Sequence, residues 1–179
     1  MPSGGLPKDV GCAVFNAATA AAVYRAVYDG MPSIERIVTV TGEGVKQPRN
    51  LIVRTGTSFL EVIAAAGGLT GDAWKVLSGG PMMGVAQGDL SVPVVKSTNA
   101  IVCLSNAQNG ETAHPACIRC GKCLEVCPMG LEPLYLYRFS NAGELDALKR
   151  LHLPDCIECG CCAYACPGKL PLVEGFRKG

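Results

Sequence analysis

Hydrophobic positions alternate in short β-branched runs through the first hundred residues and recur at helical spacing beyond residue 130, so the chain divides into two differently built parts. Residues 1–15 have no periodicity. An alanine-rich stretch then starts at Asn16, with Asn16 or Thr19 as its cap and Val23, Tyr24 and Val27 on one face. This predicts a helix, which Gly30 and Pro32 stop. Glu35 to Thr41 alternates and reads as a strand, Gly42-Glu43-Gly44 as a turn, and Asn50 to Arg54 as the returning strand. Thr57 as cap, Leu60 on the apolar face and Glu61 as first-turn acid predict a helix through Ala66, closed by Gly67-Gly68. Further strands are expected at Lys75–Ser78, Val92–Lys96 and Ala100–Leu104, with the loop Gly79-Gly-Pro-Met-Met-Gly84 after the first of them. A small mixed sheet with one helix predicts an α+β module resembling a β-grasp.

Asn106 to His114 is polar and reads as a linker. Beyond it, Leu134, Leu136 and Phe139, then Leu145, Leu148 and Leu151, have helical spacing, which predicts helices over Leu131–Phe139 and Glu144–Leu151. A further helix is expected at Leu172–Lys178. The domains expected are therefore 1–33 with one helix, 34–105 as the β-grasp-like part, and 106–179 as a mostly helical part.

Eight of the eleven cysteines change this picture from architecture to chemistry. Cys117-Ile-Arg-Cys120-Gly-Lys-Cys123-Leu-Glu-Val-Cys127-Pro128 and Cys156-Ile-Glu-Cys159-Gly-Cys-Cys162-Ala-Tyr-Ala-Cys166-Pro167 both read C-x2-C-x2-C-x3-C-P. That is the ligand run of two-cluster bacterial ferredoxins, in which the fourth cysteine ligates the other cluster. Three close thiolates cover three corners of a cubane, and the proline ends the local helix beside the fourth. Two [4Fe–4S] clusters with crossed ligation follow: Cys117, Cys120, Cys123 and Cys166 for one, Cys156, Cys159, Cys162 and Cys127 for the other. The 28 residues between Cys127 and Cys156 exceed what a strand hairpin needs, which favours a helical di-cluster domain. Structural zinc uses two C-x2-C pairs and leaves the third and fourth cysteines and the prolines without a purpose. An odd cysteine count without a secretory signal does not fit a disulfide framework.

The remaining candidates read as structural. Cys161 is out of register for ligation and is expected to pack as a small apolar side chain, as are Cys12 and Cys103. The loop Gly79–Gly84 has neither the Lys-Ser/Thr of a P-loop nor G-x-G-x-x-G spacing, so it is expected to be a turn. His114 and His152 flank complete cysteine sets and are expected at the surface or behind the ligands. Arg119 and Lys122 offset cluster charge or face solvent. A net charge of +1 with 17% charged residues argues against a nucleic-acid surface. At 49% hydrophobic residues, the chain has apolar surface to give to protein partners. No apolar run approaches the ~20 residues that span a bilayer, and no transmembrane segment is expected.

Four stretches together, Asp9-Val-Gly-Cys-Ala-Val-Phe-Asn16-Ala-Ala-Thr19, Arg36-Ile-Val-Thr-Val-Thr-Gly42, Gly79-Gly-Pro-Met-Met-Gly84 and Cys117-Ile-Arg-Cys-Gly-Lys-Cys123, resemble segments of the C subunit of the Rnf electron-transport complex, in the same order. The resemblance covers nearly the whole chain. It extends to the cobalamin-reductase subunit of diol-utilising microcompartments and, more remotely, to the flavin subunit of respiratory complex I. It implies a soluble-ligand-binding β-grasp module before a helical di-cluster ferredoxin. It also implies a membrane-peripheral, cytoplasmic-side subunit that oxidises NADH and passes electrons to the other subunits of a membrane complex. The family's glycine-rich region for FMN and NADH is expected before Met1; Asn16 and Thr19 match only its end, with Ala18 in place of an acidic or polar residue. The chain is thus expected to be an electron-transfer module, with FMN only in the full-length parent and no NADH catalysis of its own. A cobalamin reductase, or a partner-binding assembly module with structural clusters, is the alternative.

Overall fold

The computed structural model describes residues 5–108 and 115–178. The chain separates into two compact units, one running from Val14 to Asn109 and the other made of the residues on either side. The expected linker Asn106–His114 lies mostly outside the described residues; its first three residues form a 3-10 turn, Asn106–Gln108.

The first unit opens with helix α1 (Ala17–Tyr28), whose cap is Asn16: its side-chain oxygen accepts the Ala18 N–H at 2.9 Å. Thr19 lies inside the helix. Val23, Tyr24 and Val27 do share a face, but no residue of α1 is buried. Helical spacing fixes which side chains stand together, and a covering partner is a separate matter.

Five strands follow, β1 (Glu35–Thr41), β2 (Arg49–Arg54), β3 (Ala73–Ser78), β4 (Val85–Gln87) and β5 (Ala100–Ser105), with α2 (Phe59–Ala65) between β2 and β3. The sheet order is β2-β1-β5-β3-β4. β1 pairs antiparallel with β2, and parallel with β5 through Val40 and Ile101. β5 pairs antiparallel with β3, placing Cys103 beside Val76. The last strand therefore fills the centre, and Ile101, Val102 and Cys103 are buried. Phe59, Val62 and Ile63 of α2, at helical spacing, pack with Val38, Val40 and Val53 into one core. The fold is the α+β sheet-and-helix arrangement read from the sequence.

Glycine permits the turn after β1 to run against β5. The Gly44 N–H donates to the Cys103 carbonyl at 2.9 Å, and a Cβ on Gly44 would come within 2.9 Å of the Leu104 carbonyl oxygen.

Three expectations are corrected. The α2 cap is Ser58, not Thr57: Ser58 Oγ accepts the Glu61 N–H while the Glu61 carboxylate accepts the Ser58 N–H, a reciprocal pair that Thr57 is one residue too early to make. Val92–Lys96 is not a strand of the sheet. Pro93 lacks an N–H, and the segment bonds the start of α2 instead, Val92 accepting from Phe59 at 3.0 Å and Val94 donating to Thr57 at 2.8 Å. Its alternation is real, since Val94 is fully buried, but it faces the helix side of the core. The fourth strand is β4, joined to β3 by the Gly79–Gly84 loop, which closes through the Gly84 N–H to Gly80 carbonyl bond at 2.8 Å. Cys12, expected in a core, is exposed, whereas Cys103 is fully buried.

The second unit is built of short helices: α3 (Lys122–Glu125), α4 (Pro133–Ala142), α5 (Leu145–Arg150), α6 (Cys161–Ala165) and α7 (Leu172–Phe176). α4 starts at Pro133, whose missing N–H costs nothing in the first turn, and ends past Phe139 at Gly143 in the left-handed conformation. Leu136, Leu148, Cys162, Leu172 and Phe176 form the core. Gly175 lets α7 sit against Tyr137 of α4, since a Cβ there would overlap the tyrosine ring.

Candidate metal centre

Both cysteine motifs fold alike. Each starts as a loop and ends in one turn of helix, α3 or α6. Arg119 (φ 55°) and Gly121 (φ 79°) in the first copy correspond to Glu158 (φ 49°) and Gly160 (φ 81°) in the second. Left-handed residues around the second cysteine turn backbone N–H groups toward one side of the loop, a concavity suited to an anion. The N–H of Arg119 lies 3.4 Å from Cys117 Sγ, and after the first motif the N–H of Leu131 donates to Cys127 Sγ at 3.3 Å. A non-glycine residue in this region costs on the order of 1–3 kcal/mol, so Arg119 and Glu158 are held there by their surroundings.

The motifs exchange their last cysteines. One cavity, about 450 Å³, is lined by Cys117, Cys120, Cys123 and by Cys166 from the other motif. A second, about 20 Å³, is lined by Cys156, Cys159, Cys162 and by Cys127. Backbone ties fix the exchange: the Ala116 N–H donates to the Gly168 carbonyl at 3.1 Å, joining the entry of the first motif to the exit of the second. A Cβ on Gly168 would collide with the Ala116 carbonyl oxygen, so the contact requires glycine.

Burial acts on three of these thiols. It pushes Cys162 up to about 11 and, first among causes, also raises Cys156 and Cys123. Neighbouring thiols add to it: Cys127 and Cys159 around Cys156, Cys166 and Cys117 around Cys123. A bound cation reverses that balance, because it favours the thiolate. Among the described residues no three His, Cys, Asp or Glu side chains converge closely enough to hold a single metal ion. Two sets of four thiols line the two cavities, a donor type and number that fits a [4Fe–4S] cubane.

Cys161 is part-exposed at the start of α6 and hydrogen-bonds with Cys159. His152 is exposed, with Nδ1 3.9 Å from Asp155. His114 lies outside the described residues. Lys122 is exposed on α3, and Arg119 lines the first cavity. Arg138 of α4 lines it too, a neighbour that sequence reasoning missed because nothing in the motif spacing points 11 residues past Cys127.

Two family models match the chain: an SLBB domain at residues 37–86 and a 4Fe-4S dicluster domain at residues 116–169. β5, the central strand, lies beyond the SLBB match. The C subunit of the ion-translocating oxidoreductase complex of Rhodobacter capsulatus is 48% identical over 176 residues, covering 98% of this chain and 34% of that protein. The C subunit of the Na(+)-translocating ferredoxin:NAD(+) oxidoreductase complex of Acetobacterium woodii is 44% identical over 178 residues, covering 99% of this chain and 40% of its own length. The proton-translocating counterpart of Clostridium ljungdahlii is 44% identical over 136 residues, 76% of this chain and 30% of that protein. The chain thus spans about a third of the length of these curated relatives. No helix among the described residues is long and apolar enough to cross a membrane. An SLBB domain followed by a 4Fe-4S dicluster domain, the chain belongs over nearly its whole length to the family of C subunits of Rnf-type ion-translocating oxidoreductase complexes.

Proposed function

We propose that this chain is the electron-relay portion of the C subunit of an Rnf-type complex, carrying two [4Fe–4S] clusters at the cytoplasmic face of the membrane against the complex's other subunits. Residues 34–105 form the SLBB part and 106–179 the cluster part, with 1–33 belonging to a preceding flavin-binding region. The observation that carries the reading is the exchange of Cys127 and Cys166 between the two cysteine cavities. It supports ligation by Cys117, Cys120, Cys123 and Cys166 at one site and by Cys156, Cys159, Cys162 and Cys127 at the other. Bound clusters supply one-electron redox chemistry, with potentials tuned by charge, hydrogen bonds and exposure. The chain's own groups do the holding. The left-handed loops at Arg119 and Glu158 aim N–H groups at the sulfurs, and Leu136, Val173 and Phe176 keep water from the second site.

FMN belongs to the full-length parent in this reading, and the chain alone does not oxidise NADH. A flavin phosphate needs a set of backbone donors, typically at a glycine-rich helix entry. α1 is entered instead through Asn16 and alanines, with no basic residue before Arg25. NADH plus FMN added to the reconstituted chain should leave the cluster absorbance unbleached while dithionite bleaches it.

Anaerobic reconstitution tests the core of the proposal and should give about eight irons per chain. Cys166→Ser should damage the site of Cys117, Cys120 and Cys123, and spare its sequence neighbours Cys156 and Cys159. Zinc without iron, or damage confined to the Cys156 site, would overturn the assignment.

A further inference from the structure

The two cysteine cavities differ in charge and in access to water. Arg119 and Arg138 line the first, no acidic residue does, and both Cys117 and Cys120 are exposed. In the second, Glu158 is the only charged lining residue, Cys162 is buried, and Leu131, Leu136, Val173 and Phe176 wall it. Arg177 is the cation paired to Glu158, at 2.7 Å, so that pair brings the second site no net positive charge. Backbone N–H groups bond sulfur at both sites, at Cys117 (3.4 Å) and Cys123 in the first and at Cys127 (3.3 Å), Cys156 and Cys162 in the second. They therefore do not favour the first site, and its two arginines carry the difference. The Cys161 thiol beside Cys159 favours the second site, but the dipole of a weak S–H donor counts for less than two guanidinium charges.

Reduction adds one negative charge. Cationic neighbours and water stabilise that charge, whereas apolar walls and a carboxylate oppose it. We propose that the Cys117/Cys120/Cys123/Cys166 site has the higher reduction potential of the two, with Arg119 and Arg138 setting it, so that a first electron entering the chain rests there. This rests on the two-cluster ligand assignment above. The step is a one-electron transfer from an external reductant such as dithionite, in which no bond forms or breaks and no proton moves.

An EPR-monitored redox titration of the anaerobically reconstituted chain tests this. Two couples should resolve, separated by at least the 59 mV that a tenfold preference for the first site requires. Arg138→Gln should lower the upper couple alone, cutting the preference roughly threefold, the size expected of one exposed charge. Glu158→Gln should raise the lower couple alone. Arg119→Asn, which tolerates the left-handed backbone, should act as Arg138→Gln does and stands in for it if that variant fails to fold. A single unresolved couple, or an arginine substitution that moves the lower couple or neither, overturns the proposal. An iron content well below about eight per chain, measured before any titration, marks failure of the ligand assignment itself, and the proposal falls with it.

Discussion

At the residue scale, the eleven cysteines fall into different physical roles despite identical chemistry. Cys103 sits in the middle of the sheet, where burial pushes its thiol from an ordinary 9.0 up to about 11. Its folded form therefore favours the neutral thiol. The associated stability is complete below pH 9.0 and is lost as pH rises through about 11. Denaturant midpoints should fall over that window in the parent chain, and fall less in Cys103→Ala. Equal slopes in the two chains would show that the thiol does not contribute. Gly168 has the opposite kind of role, since it matters for the side chain it lacks. Gly168→Ala should push the segment before Cys117 outward and leave about four irons per chain in place of about eight, read by iron analysis.

At the element scale, short helices depend on their ends and their contacts more than on propensity. Ser58→Ala removes one half of the α2 capping pair and should cost about 1 kcal/mol in equilibrium unfolding of the sheet unit. Thr57→Ala should cost less, because Thr57 is not the cap. Gly175→Ala adds a methyl group where α7 meets Tyr137 and should destabilise the helical unit by about 1–3 kcal/mol. Tyr137→Ala in the same background should recover part of that loss, which a double-mutant cycle measures.

At the scale of the whole molecule, the two units have different sources of stability. The sheet unit has a continuous core running from Val38 through Phe59 to Cys103. Among the described residues the helical unit has a small core around Leu136, Leu148, Cys162, Leu172 and Phe176, and helices of four to ten residues. Small cores of this kind depend on cross-links or metals. Stripping iron with a chelator should therefore collapse amide-exchange protection in residues 117–176 and leave that of β1, β3 and β5 intact. Loss of protection in both units together would show that they share one cooperative transition.

The spacing of the cysteines pointed to the 4Fe-4S dicluster class from sequence alone, because cubane ligation imposes short, fixed intervals that local chain geometry must satisfy. Alternation and helical spacing likewise determined β1, β2, β5, α1 and α4 to within a few residues, since those patterns record which face each side chain occupies. Tertiary structure decided the rest. Val92 and Val94 alternate like a strand, yet their backbone groups bond the start of α2, and the choice between those partners is a long-range one. β4 has only three residues, too few to show alternation, and its apolar Val85 is exposed. Arg138 of α4 lines the first cysteine cavity although it lies outside the motifs, and Glu158, in the left-handed region, lines the second. The cysteine motifs are legible locally because their spacing is local. Of the charges beside them, Arg119 and Glu158 lie within the motifs, whereas Arg138 is brought there by the packing of α4.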